Sequence, residues 1–376
     1  AKNGASAWLS DFARLAGANP KPSEAISILR LVLEQQPPSR RRAELLTALG
    51  NGLSRRGQSV LGVLADQATP APLRISADQV FRQAVTTMAG SASSSADRVA
   101  SAQLLGFAPA TVAVPALASR LGPGDPPSLQ QAAVASLARH PSPKTWTALL
   151  ANWKGHSPRL RSDIVDVLVQ RPTSAGLLLD AVAEGRVLIA DLTVEKRQLL
   201  INNRAPALRV RAAKLLAGAP TPNRAKVIAR YTPALDKAGD AAAGAAVFKK
   251  LCSACHKVGT IGHKLGPDLN SVSNKSPRDL LINILDPNRE AQPNFMTYTL
   301  VTTKGRVLTG IVSAETADSV TLTRAEGKRD IVPRSQIDML VSNGKSLMPE
   351  GLEKELSPQH LRDVVAWIKG LKPPGK

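Results

Sequence analysis

From the first residues to about residue 235, apolar positions recur at three- and four-residue spacing, and Ala and Leu dominate. Short breakers separate the runs, among them Pro37-Pro38, Gly122-Pro123 and Pro220. This period predicts helix after helix. Three runs repeat one another. Val99-Ala-Ser-Ala-Gln-Leu-Leu105 precedes Pro109, Gln131-Ala-Ala-Val-Ala-Ser-Leu137 precedes Pro141, and Asp163-Ile-Val-Asp-Val-Leu168 precedes Pro172. The aligned leucines Leu105, Leu137 and Leu168 lie 32 and 31 residues apart. Leu208-Arg-Val-Arg-Ala-Ala-Lys-Leu-Leu216 has the same character. A repeat of this length predicts stacked helix pairs, each burying its apolar face against its neighbours.

A linker is expected near residues 232–238, followed by a helix from about Asp240. A second helix is predicted from Ser276-Pro277, with Ser276 as N-cap and Pro277 in the first turn. It carries Leu280, Leu281, Ile284 and Leu285 on one face and stops at Asp286-Pro287. From Phe295 to about Val341 the pattern alternates. Thr297-Tyr-Thr-Leu-Val-Thr302 and Arg306-Val-Leu-Thr-Gly-Ile-Val312 flank a turn at Lys304-Gly305, and strands at Ser319-Val-Thr-Leu-Thr323 and Arg329-Asp-Ile-Val332 follow. A last helix from Ser357-Pro358 carries Leu361, Val364, Val365, Trp367, Ile368 and Leu371. The expected fold is mainly α: a helical repeat domain over residues 1–235, then a domain over 236–376 whose insertion at about 295–341 forms a small antiparallel sheet or mini-barrel.

Composition narrows the function. The chain has 376 residues, 43% of them hydrophobic, and no run approaches the roughly 20 apolar residues that span a bilayer. No charged-then-apolar leader follows Ala1, so the start of the chain carries no compartment signal. The net charge is +20, and residues 1–235 hold 29 basic and 14 acidic residues, hence +15 of it. Such a field favours an acidic protein surface or an anionic polysaccharide as partner, with plain solubility as the bland alternative. Aromatics are only 3%, so platforms for stacking nucleic-acid bases are scarce. With two cysteines, both in one motif, no disulfide framework is expected.

That motif is Cys252-Ser253-Ala254-Cys255-His256, or C-x-x-C-H. Two thiols at this spacing add across the two vinyl groups of a haem, and a short helical turn sets the following His beneath the iron. No second cysteine pair exists, which excludes a zinc ribbon. One covalent haem c per chain is the reading, with His256 as an iron ligand. The candidates for the sixth position are four methionines and His263. Met348 precedes Pro349 a few residues before the last helix, whereas Met296 and Met339 read as core and Met88 falls among the repeats. The residues alone leave Met348, His263 and an open site as the alternatives.

The surrounding residues resemble a class I cytochrome c. Gly244, Phe248 and Cys252 share one helix face, Trp367 sits in the last helix, and Gly266-Pro267-Asp268-Leu269 follows the motif. The resemblance implies that Gly244 lets two helices cross closely and that the Pro267 carbonyl accepts a hydrogen bond from the His256 ring. It also implies that Met348 is the distal ligand. Residues from about 240 to 373 further resemble the haem-binding domain of the Pirellula and Verrucomicrobium type. The residues that carry this are the C-x-x-C-H, Leu285-Asp-Pro-Asn-Arg289, the inserted strands and Met348-Pro-Glu-Gly-Leu352. In that family the domain commonly follows helical repeats, here HEAT-like.

These resemblances imply an electron-transfer cytochrome in the periplasm or another extracytoplasmic compartment. A dehydrogenase would be its donor and a cytochrome or oxidase its acceptor, with the repeats as docking scaffold. A thioether ligand and a buried ring imply a high potential relative to bis-His sites. The alternatives are a peroxidase-like haem enzyme with an open distal site and a polyanion-binding module with an accessory haem.

Overall fold

Serine followed by proline opens four of the helices, at 142–143, 157–158, 276–277 and 357–358. Each serine hydroxyl accepts a backbone N–H three residues on, from Thr145, Leu160, Asp279 and His360 at 3.1–3.3 Å. The proline removes one N–H that the first turn would otherwise leave unpaired. In the computed structural model, residues 2–19, 21–35, 37–216, 222–289 and 291–372 are described. Pro220, one of the expected breakers, lies outside the described residues.

The chain divides into two compact units, residues 1–151 and 152–376. The first holds α1 (Lys2–Ala18), α2 (Pro22–Glu34), α3 (Ser39–Ser54), α4 (Val60–Ala65), α5 (Ala71–Ala89), α6 (Ser95–Leu105), α7 (Ala110–Ala118), α8 (Pro127–Leu137) and α9 (Pro143–Leu150). The second opens with α10 (Pro158–Leu168), α11 (Pro172–Ala183), α12 (Val194–Ile201), α13 (Pro206–Leu216) and α14 (Pro222–Tyr231). It continues with α15 (Ala241–Leu251), α16 (Pro277–Leu285) and, after a sheet, α17 (Pro358–Lys369). The aligned leucines have a common place: Leu105, Leu137 and Leu168 each end an eleven-residue helix and are wholly buried. Leu216 ends a fourth such helix.

The sheet comprises β1 (Met296–Thr302), β2 (Val307–Glu315), β3 (Ser319–Thr323), β4 (Arg329–Pro333) and β5 (Ile337–Ser346). All pairings are antiparallel and the order is β4-β3-β2-β1-β5. The first four strands follow the predicted meander. The last runs to Ser346, past the expected end near 341, and returns to pair with β1, which leaves an open sheet with β4 and β5 at its edges. Alternation along β1 buries Met296, Tyr298, Leu300 and Thr302, as period-two geometry requires.

The second unit therefore joins helices from the predicted repeat region to the C-terminal elements. The sheet core of Met296, Tyr298, Leu300, Val320 and Leu322 packs on Leu188 and Ala190. Beside it Asp191 accepts from Trp153 Nε1 at 2.8 Å and from Arg161 Nη1 at 2.5 Å. The Arg161 guanidinium also lies over the rings of Trp153 and Tyr298. Tyr231 of α14 enters the core of α16 and α17 and donates its hydroxyl to the Leu356 carbonyl at 2.5 Å.

Candidate functional site

The cysteine motif is set by the crossing of α15 and α17. The Asp240 carboxylate caps α15 by accepting from the N–H groups of Ala242 and Ala243. The backbone N–H of Asp240 donates to the buried Asp363 carboxylate of α17 at 3.0 Å. At Gly244 the helices touch: a Cβ there would stand 2.0 Å from the Asp363 carbonyl oxygen. One turn on, Phe248 and Trp367 stack with centroids 4.5 Å apart. The expected partnership of Gly244, Phe248 and Trp367 is thus present, and it aims the end of α15 at residue 252.

The turn that follows is closed by its own backbone. The N–H groups of Cys255 and His256 donate to the Cys252 carbonyl at 3.1 and 2.9 Å. The Cys255 carbonyl in turn accepts from Leu265 and Gly266 at 2.9 and 2.7 Å, folding the downstream loop back over the motif. Gly262 makes a second close approach with φ +86°, where a side chain would meet the His256 carbonyl at 2.1 Å. Neither Gly262 nor this folding back stood out in the sequence, because a glycine in a loop carries no period.

His256 is held on both sides. Its Nδ1 lies 2.9 Å from the Pro267 carbonyl. A carbonyl can only accept, so Nδ1 carries the proton and Nε2 keeps its lone pair. Gly266 lies flat against the ring, where a Cβ would be 2.5 Å from Cε1. Burial lowers the His256 pKa, with the Pro267 bond acting the other way, a balance that favours the neutral imidazole a metal ligand needs. Burial raises the Cys252 thiol to about 11, with Cys255 adding to it, and burial raises Cys255 as well. Among the described residues no group of three His, Cys, Asp or Glu could hold a bare metal ion. Two thiols on one turn, a neutral imidazole with a fixed tautomer and a glycine wall form instead the donor set of a covalently attached haem.

Cys252, Cys255, His256, Gly266 and Pro267 come together in this way. Met348 stands on a separate irregular segment after β5, half-buried. The other methionines take different places. Met88 and Met296 are buried in apolar cores of the first and second units. Met339, expected in the core, is instead 43% exposed on edge strand β5, because its neighbour Leu340 takes the inward position. His263 is exposed, and His360 reinforces the cap of α17. The inserted sheet reaches the motif directly. Between β3 and β4 the Glu326 N–H donates to the Ala254 carbonyl at 2.9 Å, and Gly327 lies beside the His263 ring.

Residues 241–372 match the family model described as Cytochrome c, which supports a cytochrome c-type haem-binding domain in this part of the chain. No curated protein matches the chain. Among the described residues no helix is long and apolar enough to cross a membrane.

Proposed function

We propose that the chain is an electron-transfer cytochrome with one haem c, of the Pirellula and Verrucomicrobium type, working in the periplasm or on the cell surface. The observation that carries this is His256, whose Nδ1 is fixed on the Pro267 carbonyl at 2.9 Å while its ring lies on Gly266 beside two thiols of the same turn. When bound, the haem supplies a one-electron couple. Cys252 and Cys255 would hold it as thioethers, and His256 would ligate its iron through Nε2. Met348 would supply a thioether as the second protein ligand to that iron, and a site held from both residues would favour relay over catalysis. The Glu326–Ala254 contact supports the inserted sheet as a cover over the attachment loop.

The helices before residue 235, read as HEAT-like repeats, serve as the docking scaffold. The aligned leucines that end α6, α8 and α10 support that reading. The donor would be a dehydrogenase and the acceptor a cytochrome or oxidase, with an acidic docking surface matched to the +20 charge. The test is the spectrum of the haem-loaded chain. A low-spin reduced c-type spectrum, inert to carbon monoxide, is expected, and Met348→Ala should make it reactive. Rapid carbon monoxide binding by the unaltered protein would sink the proposal.

A further inference from the structure

We infer that Asn288 is the positioning residue that holds the Met348 segment in its ligating shape, which rests on reading Met348 as the sixth ligand. α16 ends at Leu285 with Asp286 as its C-cap, Pro287 prevents its continuation, and the Arg289 N–H returns to the Asp286 carbonyl at 3.1 Å. This turn presents the Asn288 carboxamide to a segment far along the chain. Its Oδ1 accepts the Ser346 N–H at 2.7 Å, and its Nδ2 donates to Glu350 Oε1 at 2.7 Å. The two contacts reach 58 and 62 residues downstream and bracket Met348 by two residues on either side.

The backbone N–H groups between them are all placed. The Leu347 N–H donates to the Phe295 carbonyl at 2.8 Å. The Met348 N–H donates to Ser346 Oγ at 3.2 Å. Pro349 has no N–H to place. Residues 347–350 belong to no helix or strand, so tertiary hydrogen bonds set their shape. Among the described residues Asn288 is the one whose side chain links both ends, since one carboxamide offers an acceptor and a donor on the same plane. Alanine offers neither, and aspartate keeps the acceptor but turns the donor into a second carboxylate facing Glu350.

The consequence concerns ligand exchange. A segment that opens more often leaves the axial position to a competitor for a larger fraction of the time, and the competitor's apparent affinity rises by that fraction. Losing two hydrogen bonds of ordinary net worth predicts about a tenfold rise. The experiment titrates the ferric, haem-loaded full chain with imidazole and follows the near-infrared charge-transfer band of thioether-ligated haem. Asn288→Ala should bind imidazole about tenfold tighter and weaken that band, with the thermal unfolding midpoint recorded alongside.

The control is Asn343→Ala. Asn343 also makes two side-chain hydrogen bonds, to Thr299 and Thr297 across the sheet, and its replacement should leave imidazole affinity unchanged. An equal rise in Asn343→Ala would assign the effect to general loosening and overturn the inference. Wild-type affinity in Asn288→Ala, together with a rise in Met348→Ala, would overturn it while leaving the ligand assignment intact. No change of spectrum or affinity in Met348→Ala would overturn both. Should Asn288→Ala yield no folded holoprotein, Glu350→Ala at an exposed position removes one of the two bonds. A rise of about threefold is expected there, and no rise counts against the inference.

Discussion

At the scale of single residues, the site is decided by what cannot be fitted rather than by what is attracted. Gly266 is the plainest case, because its Cα is the wall against which the His256 ring lies. Gly266→Ala should push the ring off the Pro267 carbonyl and weaken the proximal ligand. Loss of a group that orients a metal ligand typically costs about 10–100-fold in metal affinity, so a large fall in haem per chain, measured as pyridine haemochrome, is the expected outcome.

Asp286 gives a prediction with a sign. It is buried, its Oδ2 has no partner, and burial raises its pKa against the lowering by Arg289 and Arg224, with Glu350 reinforcing the rise. Below the ordinary value of 3.8 the carboxyl is neutral in both folded and unfolded chains and costs nothing. As pH rises from there through the raised folded value, the unfolded chain gives up its proton first, and the folded state loses stability. Asp286→Asn should therefore raise the unfolding midpoint at neutral pH, and the gain should vanish towards pH 3. An equal gain at both pH values would refute the assignment.

At the scale of elements, the close pair of α15 and α17 is the joint on which the site stands. Phe248, Trp367 and Asp363 all depend on the missing side chain at Gly244. With the Asp363 carbonyl 2.0 Å from where a Cβ would be, Gly244→Val should cost about 3 kcal/mol or more, at or above the upper end of ordinary overpacking. Denaturant unfolding of the haem-loaded protein measures this, and a loss under about 1 kcal/mol would show that the crossing relaxes freely. Helical spacing put Gly244 and Phe248 on one face, and the crossing with the helix of Trp367 was legible only through the resemblance to a class I cytochrome c. The Asp363–Asp240 hydrogen bond was not, because a buried carboxylate and its backbone donor share no period. Strands β1 to β4 were legible by alternation. The return of β5 to pair with β1 was not, because strand order depends on which edge is free.

At the scale of the whole molecule, residues 152–236 and the C-terminal elements make one compact unit. The expected boundary at 235 follows a linker-like composition, whereas packing puts Tyr231 into the core beside α17 and Leu188 under the sheet. The buried Arg161–Asp191 pair is part of that junction. Asp191→Ala leaves a buried guanidinium and the Trp153 N–H without their acceptor, and a cost of about 3–5 kcal/mol is expected on chemical unfolding. A chain cut at residue 236 should likewise unfold at a lower temperature than one cut at 152, and equal midpoints would support the boundary read from composition.

The sequence by itself determined the attachment chemistry, the helical character of the first 235 residues and the alternation of the insert. All three rest on spacing, which local backbone geometry converts directly into structure. The resemblance already implied the His256–Pro267 hydrogen bond, while the tertiary fold alone decided the wall at Gly266, the burial of Asp286 and the hold of Asn288 on the Met348 segment. The contacts of Gly266 with His256 and of Asn288 with the Met348 segment join groups ten or more residues apart, where only packing, with its demand that every buried donor and close contact be accommodated, selects the partner.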